Sequence, residues 1–413
     1  MAERTQLEIQ TAPLGALLRN TDFIALWVAT LCSSFALAFF NFAQTWYIVK
    51  QLNLEASLGL VFLASSVPRL VFMILGGAMA DRFPKRNIMF HTNIIRALLV
   101  AAILAWLLLG YVSLPVLTVF AFFFGLADAF FWSADGSIVP ELVEKQQLTQ
   151  ANSITQMTNQ SSVILGPVFA GIALKFGSYE TVFALTIVFL LIAAVFNQRI
   201  RSLSAGAAEG SSMLTSIREG ISYVRQSVFL STLLICSAFL NFFLIGPMQV
   251  GFPLFIKNVL HGDSLHFSYL EGSVGGGMAL GAVLVGILSL QRRRGLFCLV
   301  MLLLSGIAFF FLNFSTVLWQ ALAIGAVFGF TLAMAVIPLM AVIQATVKEE
   351  MMGRVMSLMM LSSMGLIPVS YAGVSLLLAA GAPIVLIMRA GAAAVIVFVL
   401  FVALRVPTVR TFD

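Results

Sequence analysis

Long apolar stretches alternate with short polar segments along the whole chain. Each stretch holds close to the roughly twenty residues that an α-helix needs to cross the hydrocarbon core of a bilayer. The pattern therefore predicts membrane-spanning helices rather than the amphipathic helices of a soluble protein. The twelve predicted spans are residues 22–48, 57–80, 88–110, 114–136, 150–175, 179–197, 229–256, 267–290, 295–312, 316–340, 351–378 and 383–404.

The composition supports the same class. Hydrophobic residues make up 61% of the 413 residues and charged residues only 10%, whereas an ordinary globular domain is about 25% charged. A soluble protein could not cover its surface with so few polar groups, so the apolar excess must face lipid. We therefore predict an all-α membrane protein with twelve transmembrane helices.

The basic residues predict how the spans are oriented. If the N-terminus lies in the cytoplasm, only Lys50, Lys175 and Lys257 of the 23 basic residues fall on the outer connections. Such an imbalance satisfies the positive-inside rule, so both termini are predicted to be cytoplasmic in a bacterial inner membrane. The net charge of +6 thus reflects topology. The basic residues do not form the stripe that nucleic-acid binding requires.

A long polar connection divides the chain near its middle. It predicts one bundle of six helices over residues 1–197, a cytoplasmic linker over 198–228 and a second bundle over 229–413. Leu214, Ile217, Ile221 and Val224 form a helical stripe in the linker, which predicts an amphipathic helix on the inner leaflet. A regulatory or partner-binding role for this helix is the alternative interpretation.

The fifth and eleventh spans contain related segments. Residues 161–167 read Ser-Ser-Val-Ile-Leu-Gly-Pro, and residues 362–368 read Ser-Ser-Met-Gly-Leu-Ile-Pro. They occupy corresponding spans of a six-plus-six arrangement. Parallel repeats of this kind form the two halves of transporters that rock around a central site.

The turn after the second span carries a recognisable motif. Residues 77–86 read Gly-Ala-Met-Ala-Asp-Arg-Phe-Pro-Lys-Arg, which resembles the signature of the major facilitator superfamily. The resemblance implies that Asp81, Arg82 and Arg86 act as a conformational latch and that Gly77 permits close helix approach. The alternative is that the charged residues only determine topology. The corresponding turn of the second half keeps the basic cluster Arg292–Arg294 without the acid.

The fifth span resembles the antiporter signature of the same superfamily through Gly166, Pro167 and Gly171. A proline that the membrane helix merely tolerates is the alternative. With segments 17–23 and 138–142, the chain resembles the bacterial macrolide-efflux and enterobactin-exporter-like branch. Asn93 departs from that branch, which often carries an acid three residues before the arginine that corresponds to Arg96.

The resemblance implies the major facilitator fold, with two pseudo-symmetric six-helix bundles around a central cavity lined by spans one, four, seven and ten. For any one polar residue on these spans, a hydrogen bond that packs two helices is the alternative to ligand contact. The cavity candidates that follow are Asn41, Gln44, Trp46, Trp132, Asn241 and Gln249.

Charges at membrane depth are expensive and therefore functional candidates. Arg69, Arg96 and Asp128 lie deep within spans two, three and four. We hypothesise that Asp128 is held near Arg96 or Arg69 and that its protonation releases the pair during transport. A permanent salt bridge that clamps the first bundle is the alternative. Asp135 and Glu271 lie near predicted span ends, where solvent can stabilise them without a special role.

No strong metal, phosphate-loop or nucleophile motif occurs, so we expect neither an enzyme nor a bound cofactor or metal. The sequence predicts a monomeric secondary transporter in the lipid bilayer that exports amphipathic, drug-like small molecules by alternating access in exchange for protons. Two alternatives remain: export of an endogenous siderophore or other anionic metabolite, and an uncoupled lipid or metabolite facilitator.

Overall fold

A computed structural model describes residues 17–201, 221–288 and 294–407. Every regular element in these ranges is a helix, and twelve helical segments are long and apolar enough to cross a membrane. The predicted all-α class and all twelve spans are confirmed.

The helices are named α1 to α12 in chain order. Those of the first half are α1 (Thr21–Trp46), α2 (Leu58–Arg82), α3 (Lys85–Leu108), α4 (Leu114–Leu142), α5 (Leu148–Phe176) and α6 (Tyr179–Arg199). Those of the second half are α7 (Val228–Leu240 and Gly246–Asn258, joined by a π-helical turn at Asn241–Ile245), α8 (Ser264–Leu288), α9 (Arg294–Leu312), α10 (Leu318–Thr346), α11 (Glu349–Gly365 and Ile367–Ala379) and α12 (Ile384–Arg405).

Polar side chains cap the N-termini of several of these helices. The Asn20 side chain accepts hydrogen bonds from the backbone N–H groups of Asp22 and Phe23, at 3.0 and 3.2 Å. Ser178 and Ser227 cap α6 and α7 in the same way. The first N–H groups of a helix have no partner within it, so these caps fix where the spans start.

Prolines interrupt two helices of the second half. In α7 the π-helical turn lies directly before Gly246 and Pro247, and α11 breaks at Leu366, two residues before Pro368. Proline has no N–H group and clashes with the carbonyl four residues earlier, which explains both irregularities. Pro167, at the corresponding position of α5, lies inside a continuous helix.

Two helices extend beyond their predicted ends. The sequence predicts that the fourth and tenth spans end near residues 136 and 340, whereas α4 continues to Leu142 and α10 to Thr346. A helix satisfies its own backbone hydrogen bonds whether or not lipid surrounds it. Loss of hydrophobicity therefore does not mark the end of the helix.

The helices pack mainly within each half. In the first half α2 packs against α4, and α1 and α3 pack against α6; in the second, α8 and α9 pack against α10. Small residues allow close approach, as at Gly125 of α4, which faces the Ser65 backbone of α2. The main contacts between the halves are α5 with α8 and α2 with the second segment of α11.

Odd-numbered helices start at one end of the molecule, which we call the Asp22 end. They finish at the opposite end, which we call the Lys257 end. At the Lys257 end Gly171 of α5 packs on Ser268 of α8, and Gly59 of α2 packs on Tyr371 of α11. Across the described ranges, the first segments of α7 and α11 make no extensive contact with α1–α6. The halves therefore meet at the Lys257 end and separate toward the Asp22 end.

Most of the predicted linker, 202–220, lies outside the described residues, as do residues 1–16, 289–293 and 408–413. The predicted amphipathic stripe is therefore described only at Ile221 and Val224. Residues 221–225 are helical, and Val224 is buried while Ile221 is exposed. Arg292 and Arg293 of the second basic cluster also fall outside the described ranges.

Candidate functional site

A cavity of about 450 Å³ lies between the two halves. This volume falls within the range of about 300–1,000 Å³ that small-molecule sites occupy. Its lining comes from α1, α2, α4, α5, α7, α8 and α11. The tenth span was expected to line the cavity as well, but among the described residues α10 supplies no lining side chain, and it packs against α8 and α9 instead.

The cavity brings together three of the six candidates named from the sequence. Asn41, Trp132 and Gln249 line it, from α1, α4 and α7 respectively. Trp132 keeps 38% of its surface exposed, so an aromatic face remains open to a ligand. An amide from each half and an indole thus share one pocket.

The structure places the other three candidates elsewhere. Trp46 is buried and stacks on Phe267 with ring centroids 5.6 Å apart, and Gln44 is buried in the core. Asn241 donates to the Ser237 carbonyl of its own helix at 2.8 Å. Gln44 and Trp46 lie on sides of α1 that are buried against other helices, whereas Thr45 between them lines the cavity. Sequence spacing alone does not reveal which side of α1 borders the cavity.

Asp128 lies between two arginines. Its side chain is fully buried; one carboxylate oxygen accepts a hydrogen bond from Arg96, and the other lies 2.6 Å from the Arg69 Nη2 atom. Arg96 is also buried, between the rings of Phe124 and Phe131 at 5.5 and 4.4 Å. One carboxylate thus neutralises part of two guanidinium charges, and the aromatic faces stabilise Arg96 further. Of the three charged groups, only Arg69 lines the cavity.

Asn93 takes part in this network without a charge. Its side-chain oxygen accepts a hydrogen bond from Ser33 at 3.1 Å and from Arg96 at 3.5 Å. A carboxylate at this position would have given Arg96 a second counter-charge. With asparagine there, Arg96 depends on Asp128 alone for its ion pair.

Asp135 does not lie at a solvent-filled mouth, as its position in the sequence suggested. It is only 5% exposed, and it accepts a hydrogen bond from Thr30 of α1 at 3.1 Å. The reason is that α4 continues to Leu142, so Asp135 lies inside the bundle. At the opposite end of the molecule, Arg389 donates to the Asn313 carbonyl beyond α9 at 3.0 Å.

Glu271 is also placed differently from the prediction. Because α8 begins at Ser264 rather than at residue 267, Glu271 lies about two turns, or roughly 10 Å, into the helix. Its side chain lines the central cavity. A predicted span end with an error of three residues was enough to hide this carboxylate.

The polar side of α5 was missed as well. Asn159 and Gln160 line the cavity, and Asn159 accepts a hydrogen bond from Ser34 of α1 at 2.7 Å. A signal was available, because α5 is the least apolar of the twelve spans. The hydroxyl and amide residues of segment 149–162 could have identified a helix that faces a polar cavity.

The latch motif lies at the Asp22 end. Asp81 and Arg82 are exposed at the end of α2, and Arg86 donates to the Ile200 carbonyl at 2.8 Å. The close helix approach predicted for Gly77 occurs at Gly76 instead. A Cβ atom on Gly76 would lie 2.9 Å from the Ala129 carbonyl oxygen, whereas one on Gly77 would meet nothing within 4 Å.

The antiporter motif lies where three helices meet. Gly166 packs against Ala38 of α1, Pro167 lines the cavity, and Gly171 packs against α8. Pro167 thus borders the cavity and Gly171 the contact between the halves, while Gly166 packs α5 against α1. Small residues at such contacts let neighbouring helices approach closely.

Known proteins show what the chain is similar to. Residues 26–370 match the family model described as Major Facilitator Superfamily. Macrolide efflux protein A of Streptococcus pyogenes is 25% identical, over 81% of this chain and 84% of that protein. Multidrug efflux pump Tap of Mycolicibacterium fortuitum is 26% identical, over 77% and 79%.

A siderophore carrier is among the relatives too. The staphyloferrin A transporter of Staphylococcus aureus is 23% identical, over 55% of this chain and 59% of that protein. Among solved structures, a bacterial homologue of the human lysosomal transporter Spinster, in an inward-facing and unoccupied conformation, matches with a TM-score of 0.70. It is 15% identical, and the match covers 95% of this chain and 98% of that one.

Proposed function

Because the chain belongs to the Major Facilitator Superfamily and is a membrane transporter rather than an enzyme, we propose that it exports amphipathic, drug-like small molecules. The observation that carries the proposal is the central cavity, which combines an aromatic lining and the exposed ring of Trp132 with a few convergent polar groups. Drug-efflux proteins among the relatives support the same class of cargo.

The transport mode that we propose is alternating access. The halves contact each other at the Lys257 end and separate at the Asp22 end, as expected for one of two alternating states. The basic residues predict that the Asp22 end is cytoplasmic, in a bacterial inner membrane with both termini inside. The cavity in this conformation would then receive cargo from the cytoplasm.

The moving parts in this proposal are the two halves, 1–197 and 229–413, with the linker 198–228 between them. The latch residues Asp81, Arg82 and Arg86 would contact the opposite half only after the Asp22 end closes, which agrees with the exposure of Asp81 and Arg82 here. Pro167 and Gly171 lie where the halves would slide. One chain supplies both halves, so a monomer suffices.

Protons supply the driving force in this proposal, through Asp128. Both of its oxygens are paired with arginines in this conformation, so a proton would bind only after one pair opens. Arg69 is the partner that would leave, since it is 26% exposed and borders the cavity while Arg96 is buried. A permanent clamp, in which neither pair opens, is the competing role.

The experiment is a proton-flux assay in acid-loaded inverted vesicles, with a pH-sensitive dye and single additions of macrolides, lipophilic cations and catecholate siderophores. We expect a cargo-dependent collapse of the proton gradient, which Asp128→Asn abolishes. The control is Glu144→Gln, a charge-neutralising change on an exposed loop residue. Full proton-driven transport by Asp128→Asn would show that Asp128 with Arg69 and Arg96 is only a clamp.

A second candidate is export of an anionic metabolite such as a siderophore. Arg69 faces the cavity and shares with Arg96 the one carboxylate that either arginine pairs with among the described residues. A siderophore carrier is among the relatives. A response to catecholates alone would favour this candidate. Transport that persists without a proton gradient would favour an uncoupled facilitator of lipids or metabolites.

A further inference from the structure

The central cavity contains a carboxylate that the proposed proton exchange does not use. Glu271 lines the cavity from α8, and no ion pair or hydrogen bond reaches its side chain from any residue in the described ranges. The two buried acids have such partners: Asp128 pairs with two arginines, and Asp135 accepts from Thr30. Among the described residues, Glu271 is therefore the cavity carboxylate that has no such partner.

The charges around Glu271 do not supply a counter-ion. Arg69 is the one basic side chain among the described residues that line the cavity, and it is already paired with Asp128. Tyr371, the remaining titratable group in the lining, is a neutral phenol. An unpaired carboxylate at this depth is less stable than one that is paired or hydrated. A cationic ligand would remove that disadvantage and gain an ion pair in a water-poor site.

Aromatic rings lie directly beside this carboxylate. Phe267 precedes Glu271 by one helical turn and stacks on Phe42 of α1, with ring centroids 4.9 Å apart. Both rings line the cavity, together with Phe252 and Trp132. Phe267 stacks on Trp46 as well, so this cluster offers apolar ring surface to the hydrophobic groups of a ligand. Trp132, which is 38% exposed, keeps the more open ring face that attracts organic cations. The wall next to Glu271 thus suits a charged centre surrounded by hydrophobic substituents.

The backbone holds Glu271 in a fixed position. The next residue of α8, Gly272, packs on Val168 of α5, and Gly275 packs on Ile164. The main chain next to Glu271 therefore packs closely against α5, and the Glu271 side chain lines the cavity. A carboxylate fixed in this way can select a ligand by charge without any change of fold.

We propose that Glu271 is the cation-recognition residue of the cavity and binds the positive centre of an amphipathic organic cation. This inference rests on the proposed export function, and it narrows the cargo from amphipathic molecules in general to monocations. Arg69 and Asp128 then remain free for the proton step, so cargo charge and proton would be held on different helices.

The test uses two probes of the same shape and opposite charge, tetraphenylphosphonium and tetraphenylborate. Their binding to the purified full-length protein in an uncharged maltoside detergent is measured by equilibrium dialysis. We expect Glu271→Gln to weaken tetraphenylphosphonium binding by about tenfold or more, because the variant removes the negative charge that attracts the cation in a water-poor site. The same variant should strengthen tetraphenylborate binding, and Glu144→Gln should change neither.

Equal weakening of both probes by Glu271→Gln would assign Glu271 a purely structural role and overturn the proposal. Tighter binding of tetraphenylborate than of tetraphenylphosphonium by the wild type would overturn it too, because Arg69 would then dominate the cavity. If Glu271→Gln does not fold, Glu271→Asp keeps the charge and must retain the preference for the cation. Failure of these binding tests leaves the vesicle assay for export unaffected, so the two proposals fail separately.

Discussion

At the scale of single residues, Asp263 shows how the Lys257 end is held by exposed charges. Its carboxylate lies 2.5 Å from the Lys175 Nζ atom and 2.6 Å from the His266 Nδ1 atom. Burial alone would raise the pKa of Asp263, but hydrogen bonds from Lys175 and His266 outweigh burial and hold it well below its usual value. The ionised form is therefore the one that joins α5 to the start of α8.

The lowered pKa of Asp263 determines how its contribution to the stability of the protein changes with pH. The contribution of Asp263 to stability is fully present above its unfolded pKa of about 3.9 and is lost as the pH falls toward the folded value. We expect Asp263→Asn to lower the unfolding free energy at pH 7 by up to about 1 kcal/mol, since both partners are substantially exposed. The deficit relative to wild type should shrink as the pH falls below about 4.

Thermal unfolding in detergent, followed by tryptophan fluorescence from pH 7 down to about pH 2.5, measures this difference over the relevant range. Glu144→Gln serves as the control for a lost carboxylate with no such partners. A difference between wild type and Asp263→Asn that stays constant over the whole range would contradict the assignment.

Whether a charged residue could be identified from the sequence depended on how far it lies from the ends of its helix. Arg69, Arg96 and Asp128 could be found from the sequence because a charge in the middle of an apolar span stands out wherever the span ends. Glu271 and Asp135 could not, since their depth depends on helix ends that the apolar pattern locates only to a few residues. Which face of a helix borders the cavity also depends on packing, as Gln44 and Trp46 show.

At the scale of helices, the contact between α5 and α8 depends on the absence of a side chain at Gly171. A Cβ atom there would overlap the Ser268 side chain and lie 3.1 Å from the Ser264 carbonyl oxygen. Overpacking of this kind costs about 1–3 kcal/mol. Gly171→Ala should therefore shift the protein toward a state that is open at the Lys257 end.

The measurement is the distance between spin labels at Tyr111 and Trp319, which are exposed near the Lys257 end of the first and second halves. Cys32, Cys236 and Cys298 are replaced by serine beforehand. We expect longer distances in Gly171→Ala. The matched control is Gly276→Ala in α8, where an added Cβ meets nothing within 4 Å and only helix propensity changes. The same lengthening in both variants would refute the packing explanation.

Helix number and order were readable from the sequence because length and hydrophobicity alone decide whether a segment can span a bilayer. The irregular parts were harder to predict. Pro247 and Pro368 interrupt α7 and α11, while Pro167 leaves α5 continuous. A proline removes one backbone bond everywhere, and the neighbouring helices determine whether the helix breaks.

At the scale of the whole molecule, Lys257 joins the two halves through several contacts. Its Nζ atom lies 2.8 Å from Glu55, 2.7 Å from the Asn53 side chain and 2.7 Å from the Val49 carbonyl. Asn258 adds a hydrogen bond to Glu55 at 2.8 Å. Opening of the Lys257 end must break all of these contacts together.

Lys257→Met should therefore favour the state that is open at the Lys257 end, by about 1–3 kcal/mol. The same pair of spin labels reports the shift as a longer distance. Lys50→Met, which removes an exposed lysine at the same end, is the control and should leave the distance unchanged. Restoration of the short distance by the exchanged pair Glu55→Lys with Lys257→Glu would confirm that the charges act between the halves. An unchanged distance in Lys257→Met would show that apolar packing alone closes this end.

The shared carboxylate of Asp128 also has a consequence for biosynthesis. Arg69 and Arg96 are made before Asp128, and each costs about 2.5–3.5 kcal/mol to place alone at the centre of a bilayer. Until α4 is synthesised, neither arginine has the partner that it has in the finished protein. We therefore expect α2 and α3 to stay beside the insertion machinery and to enter lipid together with α4. Assembly of the first bundle would then begin before its last helices leave the ribosome.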